Sequence, residues 1–157
     1  MKKLICVMLS VLMTLSLFAG CQDSGKAPAA VESANDAATT YNIAIVQQLD
    51  HASLDEIRLA ITAQLQARAG AEAKVHIEEY NGQNDASMLN QIGTQVVSGK
   101  VDMIIPIATT AAQIMVTCAE GEDIPVVYAA VSDPEGNGLT GIPTVTGTSD
   151  ALNTPFI

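Results

Sequence analysis

The chain has 157 residues, 48% of them hydrophobic, with no tryptophan and 3% aromatics. Seven Lys and Arg stand against 17 Asp and Glu, a net charge of −10. That acidity argues against a nucleic-acid partner, and the scarcity of aromatics calls for an aliphatic core in one modest domain. The first segment, residues 1–20, is expected to stand outside the fold. Lys2 and Lys3 open it, Leu4 to Ala19 is apolar apart from Ser10, Thr14 and Ser16, and Ala19 and Gly20 close it. The stretch is shorter than the roughly 20 apolar residues of a membrane span and has the layout of an export signal.

The next residue is Cys21. The run Phe18-Ala19-Gly20-Cys21 resembles the bacterial lipoprotein box, with Phe18 where leucine is usual. The resemblance implies cleavage before Cys21, lipidation of its thiol, and a membrane-anchored chain on the extracytoplasmic face. Residues 21–40 are rich in Ala, Ser, Thr and Asp and lack leucine and aromatics. Such a segment cannot bury a core and reads as a flexible tether. Without its leader the chain carries five basic and 17 acidic residues, a charge of −12. Cys6 leaves with the leader and Cys21 is lipidated. Only Cys118 remains, so no intrachain disulfide is expected.

From residue 41 the pattern alternates between short apolar runs and helical spacing. Tyr41 to Gln47 reads as a strand. Leu54 to Ala69 places Leu54, Ile57, Ala60 or Ile61, and Leu65 on one helical face, with Ser53 and Glu56 as a capping box and Gly70 beyond its end. Lys74 to Tyr80 reads as a second strand, with His76 inside it. Asp85 is a cap for a helix over Ala86 to Val97, closed by Gly99. Val101 to Ile107 is the third strand. Thr110 to Ala119 is a helix, with Thr109 as its cap and Cys118 a small buried hydrophobe. Ile124 to Ala130 is a further strand, and one more begins at Val145.

This βαβαβαβ order predicts an α/β fold, a doubly wound parallel sheet with helices on both faces. Continuous apolar runs such as "MIIPI" fit strands buried on both sides. Pro106 near the end of that run is placed where a lost N–H costs less. Ligands of such sheets bind beyond the carboxyl ends of the strands, where helix N-termini converge. Those loops are Gln48–Ser53, Asn81–Asp85, Ala108–Ala111, Val131–Gly138 and Thr148–Asp150.

The loops exclude several chemistries. The first βα loop contains no glycine, so it lacks a G-x-G-x-x-G pyrophosphate cradle, and no G-x-x-x-x-G-K-[ST] follows. The third strand ends in Pro106-Ile107-Ala108-Thr109, without the aspartate of a phosphoacceptor domain. No His, Cys and Asp cluster has metal-ligand spacing, and no cofactor is expected. A hydrolase would need an activated nucleophile, with Thr109, Thr110 or Ser132 as candidates and His51 as base; His51 also reads as an exposed loop residue. What remains suits non-covalent capture of a small polar or zwitterionic molecule. Thr109, Thr110 and the Ala111 amide stand at a helix start, which favours an anion. Asp133 and Asp150 are placed to meet a cation.

Four segments, "IAIVQQLDHASLDEIRLAI", "YNGQNDASMLNQIGTQVVSGKVDMIIPIATTAAQ", "IPVVYAAVSDPEGNGL" and "VTGTSD", together resemble the ABC-transporter substrate-binding lipoproteins of the TrpX-like family. That resemblance spans Tyr41 to Asp150. It implies a type I periplasmic-binding fold, ABC permease subunits as partners, no catalysis, and a small solute such as an amino acid, aromatic ones included. The positions it points to are Gln48 and His51, Asn84 and Asp85, Thr109, Thr110 and Ala111, Ser132, Asp133 and Pro134, and Ser149 with Asp150. Thr109 to Ala111 are expected to take a carboxylate and Asp133 an amine. Family members have two lobes, so residues 41–157 are expected to be an N-terminal lobe that stops before the second. A small-molecule enzyme on the same fold and a non-functional remnant are the alternatives.

Overall fold

The computed structural model describes residues 39–70 and 73–151. The export signal, the tether and Cys21 lie outside the described residues. Five strands form one sheet: β1 (Thr39–Gln47), β2 (Ala73–Asn81), β3 (Met103–Ile107), β4 (Val126–Val131) and β5 (Val145–Ser149). They run parallel in the order β2-β1-β3-β4-β5. Three helices connect them: α1 (Ala52–Arg68), α2 (Ala86–Ser98) and α3 (Thr109–Cys118). The expected doubly wound sheet is present, and each strand differs from its expected bounds by a few residues at one or both ends.

Alternation along the strands divides the core by face. Ala44, Val46, Ile104 and Val126 point to one side, where Leu89, Ile92 and Val96 of α2 and Ala111 and Met115 of α3 cover them. Ile43, Ile45, Ile105 and Ile107 point to the other side. There α1 lays down Leu54, Ile57, Ile61 and Leu65, the face its sequence spacing gives. No residue of α1 is fully buried, and Leu59 is 57% exposed. Most of the buried packing therefore sits on the α2–α3 side. Gly93 lets those two helices close up, because a Cβ there would lie 2.5 Å from Cys118 Sγ. Cys118 is only half-buried rather than fully so, and burial pushes its thiol pKa up.

The caps differ from the sequence pattern in two of three helices. His51, not Ser53, caps α1: its Nδ1 accepts the Ser53 N–H at 3.3 Å. A cap needs only an acceptor held in extended backbone, which the His51 ring supplies two residues earlier. Asp85 caps α2 as expected, accepting from the N–H groups of Ser87 and Met88. At α3 the cap position is Ala108, with no side-chain bond, and Thr109 is already helical.

Pro106 sits in the middle strand of the five, paired with Val46 of β1. On the β4 side the Ile104 N–H reaches Pro125 O and the Ala108 N–H reaches Ala129 O, both at 3.0 Å. The rung between them would run from position 106 to the carbonyl of Val127, and proline has no N–H to make it. The cost is one missing rung between two intact ones.

Candidate functional site

The strand order reverses between β1 and β3, which places the crevice of the sheet between the loops that follow them. Gln48 leaves β1 on one side of that crevice and α3 starts on the other. The Thr110 N–H donates to Gln48 Oε1 at 3.1 Å, a bond between positions 62 residues apart. Gln48 Nε2 in turn donates to Asn84 Oδ1 at 3.2 Å in the loop after β2. The backbone repeats these ties: the Gln48 N–H reaches Ile107 O at 3.2 Å and the Asn84 N–H reaches Gln48 O at 2.8 Å.

The row continues toward the other edge. Thr109 Oγ1 accepts from the Ser132 N–H at 3.1 Å, which links the loops after β3 and β4. Ser132 Oγ donates to Asp150 Oδ2 at 2.9 Å, and the Asp150 N–H reaches Val131 O at 3.2 Å. Ser149 Oγ accepts from the Ala151 N–H at 3.0 Å. Six of the expected positions, Gln48, Asn84, Thr109, Thr110, Ser132 and Asp150, are thus joined across five loops.

The other expected positions have local duties. His51 and Asp85 cap α1 and α2. Asp133 Oδ1 accepts from the Gly136 N–H at 3.0 Å, and Asn137 Nδ2 closes the same turn on the carbonyls of Ser132 and Asp133. Pro134 belongs to that turn, its carbonyl accepting from the Leu139 N–H at 2.8 Å. Ala111 is fully buried in the core under α3, so its amide does not meet solvent.

Backbone conformation singles out the same end of the sheet. Among the described residues, six non-glycine positions have positive φ, and five follow β2, β3 or lie around the end of β4: Gln83, Asn84, Ala108, Ala130 and Asp133. Ala108 is the extreme case, with φ 78 and ψ 162. That region is almost restricted to glycine and costs on the order of 1–3 kcal/mol for a residue with a Cβ. The sequence gives no sign of it, since alanine is the least distinctive residue in the loop.

The five loops contain no Lys or Arg. An anion here would rest on hydroxyls, amides and the partial positive charge at the start of α3. Thr109 Oγ1 accepts one bond and keeps its proton to donate. The Thr110 N–H is satisfied by Gln48, an uncharged acceptor that an anionic oxygen can replace.

The family model of the ABC transporter substrate binding proteins matches residues 42–154, which contain the whole row of loops. The chain belongs to that family. It is 30% identical to a tyrosine-binding protein of Clostridioides difficile over 159 aligned positions, covering 97% of this chain and 46% of that protein. A ligand-free, open substrate-binding protein with adhesive properties from Clostridium difficile superposes with TM-score 0.61 at 31% identity. An ABC domain in complex with L-Trp from Streptococcus pneumoniae gives TM-score 0.61 at 30% identity. Each of these two covers 71% of this chain and 39% of the solved one. The chain therefore spans less than half the length of the relatives it matches. Among the described residues no helix is long and apolar enough to cross a membrane.

Proposed function

We propose that residues 41–157 form the N-terminal lobe of an extracytoplasmic solute-binding lipoprotein of an ABC import system. In this reading residues 1–20 direct export, Cys21 carries the lipid, and residues 21–40 hold the lobe off the membrane. The solute is a small molecule of the amino-acid class, with an aromatic one favoured by the tyrosine-binding and L-Trp-complexed relatives. The observation that carries the reading is the Asn84–Gln48–Thr110 and Thr109–Ser132–Asp150 row, drawn across the switch point at the start of α3. Thr109 and Thr110 take the carboxylate. Asp133 and Asp150 supply the negative charge for the amine, with Ser132 and Ser149 as hydroxyl contacts. Ala111 supports the carboxylate site from below, through the helix it packs. ABC permease subunits receive the loaded protein.

Titration calorimetry of the full chain with L-tyrosine, L-tryptophan and L-leucine tests this. Saturable heat is expected with an aromatic ligand, reduced at least about tenfold in affinity for Thr109→Val and Asp133→Asn, which corresponds to about 1.4 kcal/mol. Saturable binding that neither variant weakens overturns the residue roles. Absence of saturable heat with all three amino acids overturns the amino-acid reading.

A further inference from the structure

β5 closes the sheet on the side away from β2, and among the described residues no strand pairs with its outer rim. Its backbone alternates between the two sides. The Val126 N–H reaches Thr144 O at 2.9 Å and the Asp150 N–H reaches Val131 O at 3.2 Å, so the even-numbered positions turn toward β4. Of the odd-numbered ones, Val145 spends its N–H on Ile142 O at 3.0 Å. The rim is left with the Val145 carbonyl and with the N–H and C=O of Gly147 and Ser149, on a strand exposed from Thr146 to Ser149.

The two edges of the sheet are guarded differently. β2 carries Lys74, Glu78 and Glu79, all exposed, and charges of this kind keep an edge strand from pairing with another chain. β5 carries none. The whole run from Gly136 to Ser149 is free of charged residues, in a chain with 17 Asp and Glu. A basic partner finds no carboxylate along this rim, and an acidic one finds no Lys or Arg. Copies of a chain with net charge −10 repel one another, and an uncharged edge is where they meet at least electrostatic cost.

We propose that β5 pairs antiparallel with β5 of a second copy of this chain, about a twofold axis through Gly147. Gly147 is the middle residue of the strand. Its N–H and C=O exchange two hydrogen bonds with those of its twin, and at each end a Ser149 N–H reaches the Val145 carbonyl of the other copy. The one outward N–H already spent, on Val145, is not needed. Thr146 then stands opposite Thr148 of the other copy, in the closely spaced pairs that flank a hydrogen-bonded one, where threonines favour each other. This pairing stands apart from the solute reading above.

Sedimentation velocity of the full chain across a dilution series tests it, together with amide hydrogen exchange at Gly147. A concentration-dependent dimer is expected, with Gly147 exchange slowing as the dimer fills. Gly147 itself is unsuitable for substitution, because a Cβ there would collide with Tyr128 O of its own chain. Thr146 and Thr148 are exposed and leave the fold alone. The Thr146→Glu, Thr148→Glu double variant sets like charges opposite each other twice and should weaken the dimer by roughly tenfold. The Thr146→Lys, Thr148→Glu double variant sets opposite charges at the same places and should dimerise at least as well as the parent. Equal dimerisation of the two variants, at any level, overturns the pairing. So does a chain that stays monomeric, or a dimer in which Gly147 exchange does not depend on concentration.

Discussion

The two ends of the sheet are built differently. At the carboxyl end, loops from all five strands are tied to one another by side chains, and five of the six strained non-glycine residues lie there. At the amino end one side chain does comparable work: Asp102 Oδ2 accepts from the Asn42 N–H at 2.7 Å and joins β1 to the turn before β3. Lys100 is the single strained non-glycine residue there. The amino end closes turns, while the carboxyl end fixes the relative positions of polar groups at a cost in backbone energy. Strain of that kind persists only where surrounding structure over-determines it, and the row of hydrogen bonds supplies that constraint.

The largest effect should come from beneath the carboxyl end. Leu89 is fully buried in α2, and a Cβ on Gly82 would collide with its side chain. Leu89 therefore supports the loop after β2 that presents Asn84. Leu89→Ala should cost about 2–5 kcal/mol through the cavity it leaves, read as a lower midpoint in urea unfolding. Solute binding should fall with it. An unchanged midpoint would show that the loop collapses onto the space.

A matched pair sharpens the contrast between the ends. Thr109→Val removes the acceptor of the Ser132 N–H, and Asp102→Ala removes the acceptor of the Asn42 N–H. Each should lower stability by about 1 kcal/mol, the worth of one such bond. Only Thr109→Val should also weaken the solute. Equal losses of affinity in both variants, measured by calorimetry, would erase the functional distinction between the ends.

The alternation of elements was legible in the sequence because strands buried on both faces leave continuous apolar runs, and α1 and α2 carry a clear helical face. The Asp85 cap was legible because the acid and the helix it starts are neighbours in sequence. The His51 cap was not, since Ser53 and Glu56 complete a more familiar pattern and only the backbone angle of His51 decides between them. The cleft loops follow from topology alone. What joins them does not: the Gln48–Thr110 bond spans 62 residues, and neither residue type predicts it. Ala108 was invisible for a related reason. It looks like filler, and its significance lies in φ.

Ala108→Gly should give a smaller effect of opposite sign. Glycine adopts φ 78 and ψ 162 without a Cβ clash, which relieves on the order of 1–3 kcal/mol. Its greater freedom in the unfolded chain takes back about 0.5–1 kcal/mol. The net expectation is a gain of about 1 kcal/mol in urea unfolding, with weaker solute binding as the start of α3 loosens. A loss of stability would mean that the Ala108 methyl makes contacts worth more than the strain.

The smallest effect should lie on β2, away from the hydrogen-bonded row. Tyr80 Oη donates to the Glu78 carboxylate, which also lies 3.4 Å from His76 Nε2. Burial, reinforced by that hydrogen bond, pushes the Tyr80 phenol up to about 12 from its ordinary 10.0. Between those values the folded chain keeps a proton that the unfolded chain has lost, so stability should fall as pH rises through that window. The same contact, with help from His76, lowers the Glu78 pKa below 4.5, so its contribution is present above that value and fades as pH falls through the folded pKa. Tyr80→Phe should flatten the alkaline limb of a melting-temperature profile and shrink the acid one, with no change in solute affinity at neutral pH. An alkaline limb as steep as in the parent chain would place its origin in another group.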